Sequence, residues 1–185
     1  MVVPLIYLGG AEPDTETSTK FSAGADGDDI DGIDDEDATT FPQLVAGTTV
    51  QLTVRTHETL STQFDLGLPV LVPGITNLQL WIDYDQNGTI ESDEQVAVDY
   101  RDGGTGDTDG AFNNQISLNI PVPTDIGDGP TYARLRWSTT SGVVADPFDG
   151  LNLDGEVEDY LVTLSNPNGP LTCSSTFYMI ATEPA

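Results

Sequence analysis

Residues 83–94 have the residue types and spacing best suited to chemistry, and they read Asp-Tyr-Asp-Gln-Asn-Gly-Thr-Ile-Glu-Ser-Asp-Glu. This order fits the twelve-residue pattern D-x-[DN]-x-[DN]-G-x5-E, in which oxygen atoms surround one hard divalent cation. Gly88 falls at the sixth position, where such a loop turns sharply. The spacing therefore predicts a calcium site, and the alternative is an acidic hairpin loop. The predicted ligands are Asp83, Asp85, Asn87, the backbone carbonyl of Thr89, Glu91 directly or through water, and Glu94 with both carboxylate oxygens.

The segments on either side of this loop have the character of strands. Residues 78–82 and 95–100 alternate apolar and polar side chains and are rich in β-forming residues. Calcium sensors of the calmodulin type hold the same loop between two helices and respond by opening the helix pair. A loop between two strands instead predicts a structural calcium site in a β domain.

The charge of the chain excludes several classes of partner. The 185 residues include 31 acidic and 5 basic side chains, for a formal net charge of −26. Nucleic acids and anionic membrane surfaces carry the same sign of charge, so neither is an expected partner. No apolar run approaches the ~20 residues of a membrane-spanning helix, so no membrane insertion is predicted. The acidic side chains of a compact chain with this charge repel one another, and bound cations would reduce that repulsion.

The chain has one cysteine and one histidine, which limits the chemistry these residue types can support. Cys173 and His57 are the single residues of their types, so no disulfide can form within the chain. Zinc coordination or a Ser-His-Asp or Cys-His mechanism would have to rest on one histidine. Paired carboxylates are abundant, but their separation and environment decide whether they act in glycoside hydrolysis. We therefore predict that the chain is not an enzyme.

Short runs of alternating apolar and polar residues predict an all-β fold. In residues 49–56, for example, Val50, Leu52 and Val54 lie on one face of the expected strand. Gly, Pro, Asp and Asn separate the runs, which is typical of an antiparallel β-sandwich, either jelly-roll or Ig-like. The predicted strands are 49–56, 78–84, 95–100, 115–121, 131–139 and 156–165, with weaker candidates at 2–8, 69–72 and 176–181.

A second acidic run occupies residues 26–37, with glycines at 27 and 32 that allow the chain to curl. It lacks the full twelve-residue register, so a calcium site and a solvated acidic turn are both open. The candidate ligands in this run are Asp26, Asp28, Asp31, Asp35 and Asp37.

A third acidic group begins the last predicted strand, where Glu156, Glu158 and Asp159 lie close together. Carboxylates at such a position are costly unless a cation or arginines neutralise them. Arg134 and Arg136 share one face of their own strand. Calcium ligation by these three acids and ion pairing with the arginines are therefore both open.

Four motifs in order resemble a known family: Asp-Asp-Glu-Asp, Trp-Ile-Asp-Tyr-Asp-Gln-Asn-Gly, Ala-Arg-Leu-Arg-Trp-Ser and Gly-Glu-Val-Glu-Asp-Tyr. This order resembles the GEVED domain, which is named for the last motif. The resemblance covers residues 26–165 and leaves an apolar strand and polar linker at 1–25 and an extension at 166–185. It implies an extracellular, non-catalytic β module of bacterial secreted or surface proteins.

We therefore expect an extracellular or cell-surface calcium-binding module with a structural or adhesive role. Self-association or contact with neighbouring domains is expected, and the apolar ends at 2–8 and 177–181 could be strands donated to a neighbouring subunit of a filament. Pairing of both ends within their own domain is the alternative. A second function is carbohydrate binding as an accessory domain of a secreted enzyme, although Trp81 and Trp137 fall in patterns that place them in the core.

Overall fold

The computed structural model describes residues 6–10, 37–58, 61–65, 68–72, 76–139, 141–142 and 155–169. Within these ranges the chain is all-β, with one turn of 3₁₀ helix at Ser92–Glu94 and no α-helix. The all-β prediction is confirmed, whereas the weak strand candidate at 176–181 lies outside the described residues. The strands are β1 (Ile6–Leu8), β2 (Leu44–Val45), β3 (Thr49–Glu58), β4 (Ser61–Asp65), β5 (Leu68–Val72), β6 (Asn77–Ile82), β7 (Gln95–Tyr100), β8 (Gln115–Pro121), β9 (Gly129–Ser138) and β10 (Glu156–Ser165).

Two sheets form the body of the fold. One has three strands in the order β1-β3-β8, and the other has five strands in the order β2-β10-β9-β6-β7. The pairings in both sheets are antiparallel, except that the short β2 runs parallel to β10. Strands β4 and β5 form a separate antiparallel hairpin. This arrangement is consistent with the predicted β-sandwich.

The core lies between the three-stranded and the five-stranded sheet. Side chains of β3 and β8 that alternate in the sequence, such as Leu52 and Leu118, are buried there together with Leu80 and Leu135 from the facing sheet. Trp137 also lies in this core, and its indole N–H donates to the carbonyl oxygen of His57 in β3 at 3.0 Å. That hydrogen bond satisfies the buried polar atom and links the two sheets.

Trp81 is buried, as its pattern predicted, but it lies on the opposite face of the five-stranded sheet, which is covered around β6 and Arg134. Trp81 has no exposed surface, but in the register of β6 it lies opposite Arg134 and on the other side from Leu80. All six residues of β6 are buried, so the strand has no solvated face. The alternation in the sequence assigns the residues of β6 to the two faces of the strand correctly. It does not show that both faces are buried.

Both edge strands of the three-stranded sheet have backbone groups that other segments of the chain cap. On the outer side of β8, the backbone N–H of Ser117 donates to the Asp107 carboxylate at 3.0 Å, and its carbonyl oxygen accepts from the N–H of Thr108 at 2.7 Å. The N–H of Leu8 in β1 donates to the carboxylate of Glu156. Capped and short edges of this kind limit edge-to-edge aggregation.

Candidate metal centre

The 83–94 loop connects β6 to β7 and starts from a strand inside the five-stranded sheet. Its first residue is held by β9 on both sides of its backbone. The N–H of Asp83 donates to the carbonyl oxygen of Tyr132 at 3.0 Å, and the hydroxyl of Thr131 donates to the carbonyl oxygen of Asp83 at 2.6 Å. The start of the loop is therefore fixed by the central sheet.

Three carboxylates converge inside the loop. Asp83, Asp85 and Glu94 each place an oxygen within 4.8 Å of the others. Asp83 and Glu94 are only 1% and 8% exposed, whereas Asp85 is exposed. Like charges at this separation repel strongly where water is excluded, and an ion bound between them removes that cost. The three residues predicted for positions 1, 3 and 12 thus form a group that could hold a metal ion.

The turn in the middle of the loop folds around the carboxylate of Asp83. Its two oxygens accept hydrogen bonds from the backbone N–H groups of Asn87 at 3.2 Å and Gly88 at 3.1 Å. Gly88 has a φ of 81°, a left-handed conformation that glycine adopts without strain. The Asn87 side chain donates to Asp85 at 2.9 Å. The predicted sharp turn at the sixth position is present.

The 3₁₀ turn at the end of the loop brings Glu94 back to its beginning. One oxygen of Glu94 accepts from the N–H of Tyr84 at 2.7 Å, and the other accepts from the N–H of Glu91 at 3.1 Å. The carboxylate is therefore oriented by the backbone from both ends of the loop. Such orientation reduces the conformational entropy that a ligand would lose on binding an ion.

Thr89 and Glu91 contact each other on the exposed side of the loop. The hydroxyl of Thr89 donates to the carboxylate of Glu91, and the amide of Asn87 donates to the same carboxylate at 3.2 Å. Glu91 is not one of the three converging acids. The role of Glu91, directly or through water, and that of the Thr89 carbonyl stay predictions.

Burial changes the acidity of the converging carboxylates. Loss of hydration raises the pKa of Glu94 to about 7, and burial likewise raises the pKa of Asp83 above its ordinary value. Hydrogen bonds from Thr89 and Asn87 lower the pKa of Glu91. A divalent cation would favour the charged forms of Glu94 and Asp83, so binding would release protons near neutral pH.

Of the candidate ligands in the acidic run at residues 26–37, the structure describes Asp37. Asp26, Asp28, Asp31 and Asp35 lie outside the described residues, so their ligation of calcium stays a prediction. Asp37 is exposed and its carboxylate accepts from the N–H of Gly10 at 2.7 Å, which joins it to the end of β1.

The acids of β10 separate onto two faces. Arg134 donates from two nitrogens to the two oxygens of Asp159, at 2.7 Å and 2.6 Å, and both residues are buried. This paired geometry favours the ion-pair alternative for Asp159, because a guanidinium engages both of its oxygens. Of the two open alternatives, ion pairing therefore applies to Asp159.

Glu156 and Glu158 lie in register with Trp137 and Leu135, on the opposite side of the sheet from Asp159. Glu158 accepts a hydrogen bond from the hydroxyl of Tyr160 at 2.5 Å, and Glu156 accepts one from the N–H of Leu8. Within the described ranges, neither residue belongs to a group of three acids close enough to share an ion. Calcium ligation by Glu156 and Glu158 stays a prediction.

Two residues that position the loop were not predicted from the sequence. Thr131 bonds to Asp83, and the side-chain amide of Gln86 donates to the carbonyl oxygens of Asp128 at 3.3 Å and Pro130 at 3.2 Å. These contacts join residues that are 42 to 48 positions apart. A pattern of neighbouring residues cannot predict contacts over this distance. The twelve-residue loop pattern also allows any residue at the position of Gln86.

Comparison with known proteins gives a match to a family model and none to an individual protein. The model of the GEVED domain matches residues 77–163. This segment begins at β6, and it includes the 83–94 loop, the Arg134–Asp159 pair and the Gly155–Tyr160 motif. Neither a curated protein nor a solved structure matches the chain. Among the described residues, no helix is long and apolar enough to cross a membrane. The resemblance to the GEVED domain is therefore confirmed over residues 77–163.

Proposed function

We propose that this chain is a non-catalytic, extracellular β module whose fold is stabilised by calcium bound in the 83–94 loop. The observation that carries the proposal is the convergence of Asp83, Asp85 and Glu94 within 4.8 Å, on a loop with the spacing of a calcium site. The side-chain donors are oxygens, which suits a hard cation and not a soft one.

Calcium fits this loop better than magnesium does. Calcium accepts six to eight oxygens in a flexible geometry, and a terminal glutamate binds it with both oxygens. Magnesium requires a compact octahedron and keeps several of its waters. A loop that supplies five side chains and a backbone carbonyl within twelve residues matches the larger ion.

The net charge and the resemblance to the GEVED domain support a proposed location and set of partners. A net charge of −26 suits a setting with abundant divalent cations, since extracellular sites bind calcium with Kd values of about 10⁻⁴–10⁻³ M. We therefore place the module on the bacterial surface or in a secreted protein, where it holds neighbouring domains or adhesive modules. Nucleic acid and membrane insertion have no part in this proposal.

Carbohydrate binding is the weaker candidate. A sugar-binding face needs exposed aromatic rings, but Trp81, Trp137 and Tyr84 are all buried. Tyr100 packs partly against the core. Of the aromatic residues whose burial the structure describes, Phe112 is the one with an exposed side chain, at 43%.

Strand exchange in a filament is likewise not favoured by the contacts of β1. In this structure β1 pairs with β3 of the same chain, with Tyr7 stacked on His57 at 4.1 Å between ring centres. Leu8 is 1% exposed, so β1 is part of its own domain here. Donation of this strand to a neighbour stays a prediction.

Calorimetric titration of the chelator-treated protein with calcium tests the proposal. We expect saturable binding that includes one site lost in the Asp85→Ala variant, because Asp85 is the exposed member of the converging group. The Asp93→Ala variant removes an exposed acid of the same loop outside that group and is expected to keep the site. Absence of saturable calcium binding at millimolar concentrations would refute the proposed function.

A further inference from the structure

Gln86 joins the calcium loop to the β8–β9 connection, residues 122–128, and to the start of β9. Gln86 has a φ of 58°, a conformation that is uncommon for residues other than glycine. Its side-chain amide reaches across to the carbonyl oxygens of Asp128 and Pro130. Two hydrogen bonds thus connect the turn of the loop to a segment more than forty residues further along the chain.

The connection is shaped to receive this glutamine. A side-chain carbon at Gly127 would lie 2.0 Å from the Oε1 atom of Gln86. The glycine therefore leaves the space that the Gln86 side chain occupies. Ile126, the preceding residue, is 6% exposed and belongs to the core, which anchors the connection to the sandwich.

The same connection holds the point at which the chain leaves β10. The carboxylate of Asp128 accepts from the N–H of Asn166 at 2.6 Å, and the Asn166 side chain donates to the carbonyl oxygen of Ile126 at 2.7 Å. Asn166 also begins the turn that ends at Gly169, whose N–H donates to the Asn166 carbonyl at 3.0 Å. Asp128 is therefore bonded to Gln86 through its backbone and to Asn166 through its side chain.

We propose that Gln86 and Asp128 couple calcium binding to the Asn166–Gly169 turn, so that the ion fixes the direction in which the chain leaves the sandwich. This inference rests on the proposed function, because it requires calcium in the 83–94 loop. Gln86 and Asp128 are positioning residues, since no ligand role is assigned to either.

The coupling has a direct physical basis. An ion that orders the turn of the loop also fixes the backbone of Gln86, which lies between the ligands Asp85 and Asn87. The Gln86 side chain then loses less conformational entropy when it bonds to Asp128 and Pro130 than it does without the ion. Asp128, fixed in this way, bonds to the N–H of Asn166. Coupling between two sites is reciprocal, so anything that loosens the bridge must weaken calcium binding by the same factor.

Hydrogen exchange of individual backbone amides, followed by NMR in chelator and in saturating calcium, tests this inference on the full chain. We expect calcium to slow exchange at Gly88, whose N–H bonds to Asp83, and at Asn166 by about three- to tenfold, the effect of a side-chain hydrogen bond. In Gln86→Ala the slowing at Asn166 should disappear while that at Gly88 remains. The calcium affinity of this variant should fall by the factor lost at Asn166.

Two further variants make the test independent of the loop itself. Gly127→Ala adds a methyl group where the Gln86 amide lies, so it should displace that side chain and abolish the slowing at Asn166 while the sequence of residues 83–94 is unchanged. Gln51→Ala removes an exposed glutamine of β3 and should leave both amides as in the unaltered protein.

The outcomes separate this inference from the function on which it rests. If calcium slows Gly88 but not Asn166, or slows Asn166 equally in Gln86→Ala, the coupling is refuted and the calcium module stands. If calcium changes neither amide and does not bind, both are refuted.

Discussion

Replacing Asp83 or Glu94 with alanine is expected to weaken calcium binding in the 83–94 loop by about 100-fold or more. Both side chains lie inside the loop, and loss of residues that merely orient ligands already costs ~10–100-fold in other metal sites. Glu91→Ala should cost about tenfold or less, because its carboxylate lies outside the converging group and is bonded to Thr89 and Asn87. Calorimetric titration of each variant measures these affinities.

Two control variants separate the loss of a metal ligand from the loss of a negative charge and from the loss of hydrogen bonds within the loop. Asp93→Ala removes one exposed acid from the same loop and should change the affinity little. Glu94→Gln keeps the length of the side chain, so it separates loss of the charge from loss of the hydrogen bonds to Tyr84 and Glu91. Equal effects from Asp83, Glu91 and Glu94 would mean that the loop is an acidic hairpin that only resembles a calcium site.

Removal of the Arg134 side chain is expected to destabilise the fold by about 3–5 kcal/mol, because it leaves the buried carboxylate of Asp159 without its partner. The pair is held by two hydrogen bonds, and its side chains are 2% and 0% exposed. We expect Arg134→Met to show this loss in urea unfolding at neutral pH. Arg55→Met, at an exposed position of β3, should change the unfolding free energy by less than about 1 kcal/mol.

A double replacement distinguishes loss of a pair from loss of packing. Arg134→Met combined with Asp159→Leu removes both charges, and substitution of a buried pair by apolar residues is often close to neutral. The double variant should therefore be more stable than Arg134→Met alone. A double variant that is less stable than either single variant would show that the pair does not act as a unit.

The local part of the site could be predicted from the sequence, because its residues are neighbours in the chain. The positions of Asp83, Asp85 and Glu94 follow from the twelve-residue spacing, and Gly88 marks the turn. The strands could be predicted for the same reason, since alternation is a local property of the backbone. The long-range contacts of Gln86 and Thr131 depend on which strands become neighbours, and the sequence pattern does not carry that information.

Burial on both faces of β6 could not be predicted from the alternation of its residues. The alternation predicts that Trp81 is buried, as it is, although an antiparallel sheet commonly has one solvated face. Here Trp81, Arg134 and Asp159 are buried on the opposite face, where the arginine and the aspartate can only be accommodated as a pair. Alternation identifies residues that share a face, but it does not identify what covers that face.

Thermal unfolding in calcium and in chelator, at equal ionic strength and neutral pH, tests the central claim most directly. An ion that binds only the folded state adds about 2.7 kcal/mol at a concentration 100 times its Kd. For a chain of this size, that corresponds to a rise of roughly 5–10 °C in Tm. Magnesium at the same concentration should give a smaller rise, because the loop suits the larger ion. A Tm that is the same in chelator and at this calcium concentration would contradict the account of this module as one that calcium stabilises.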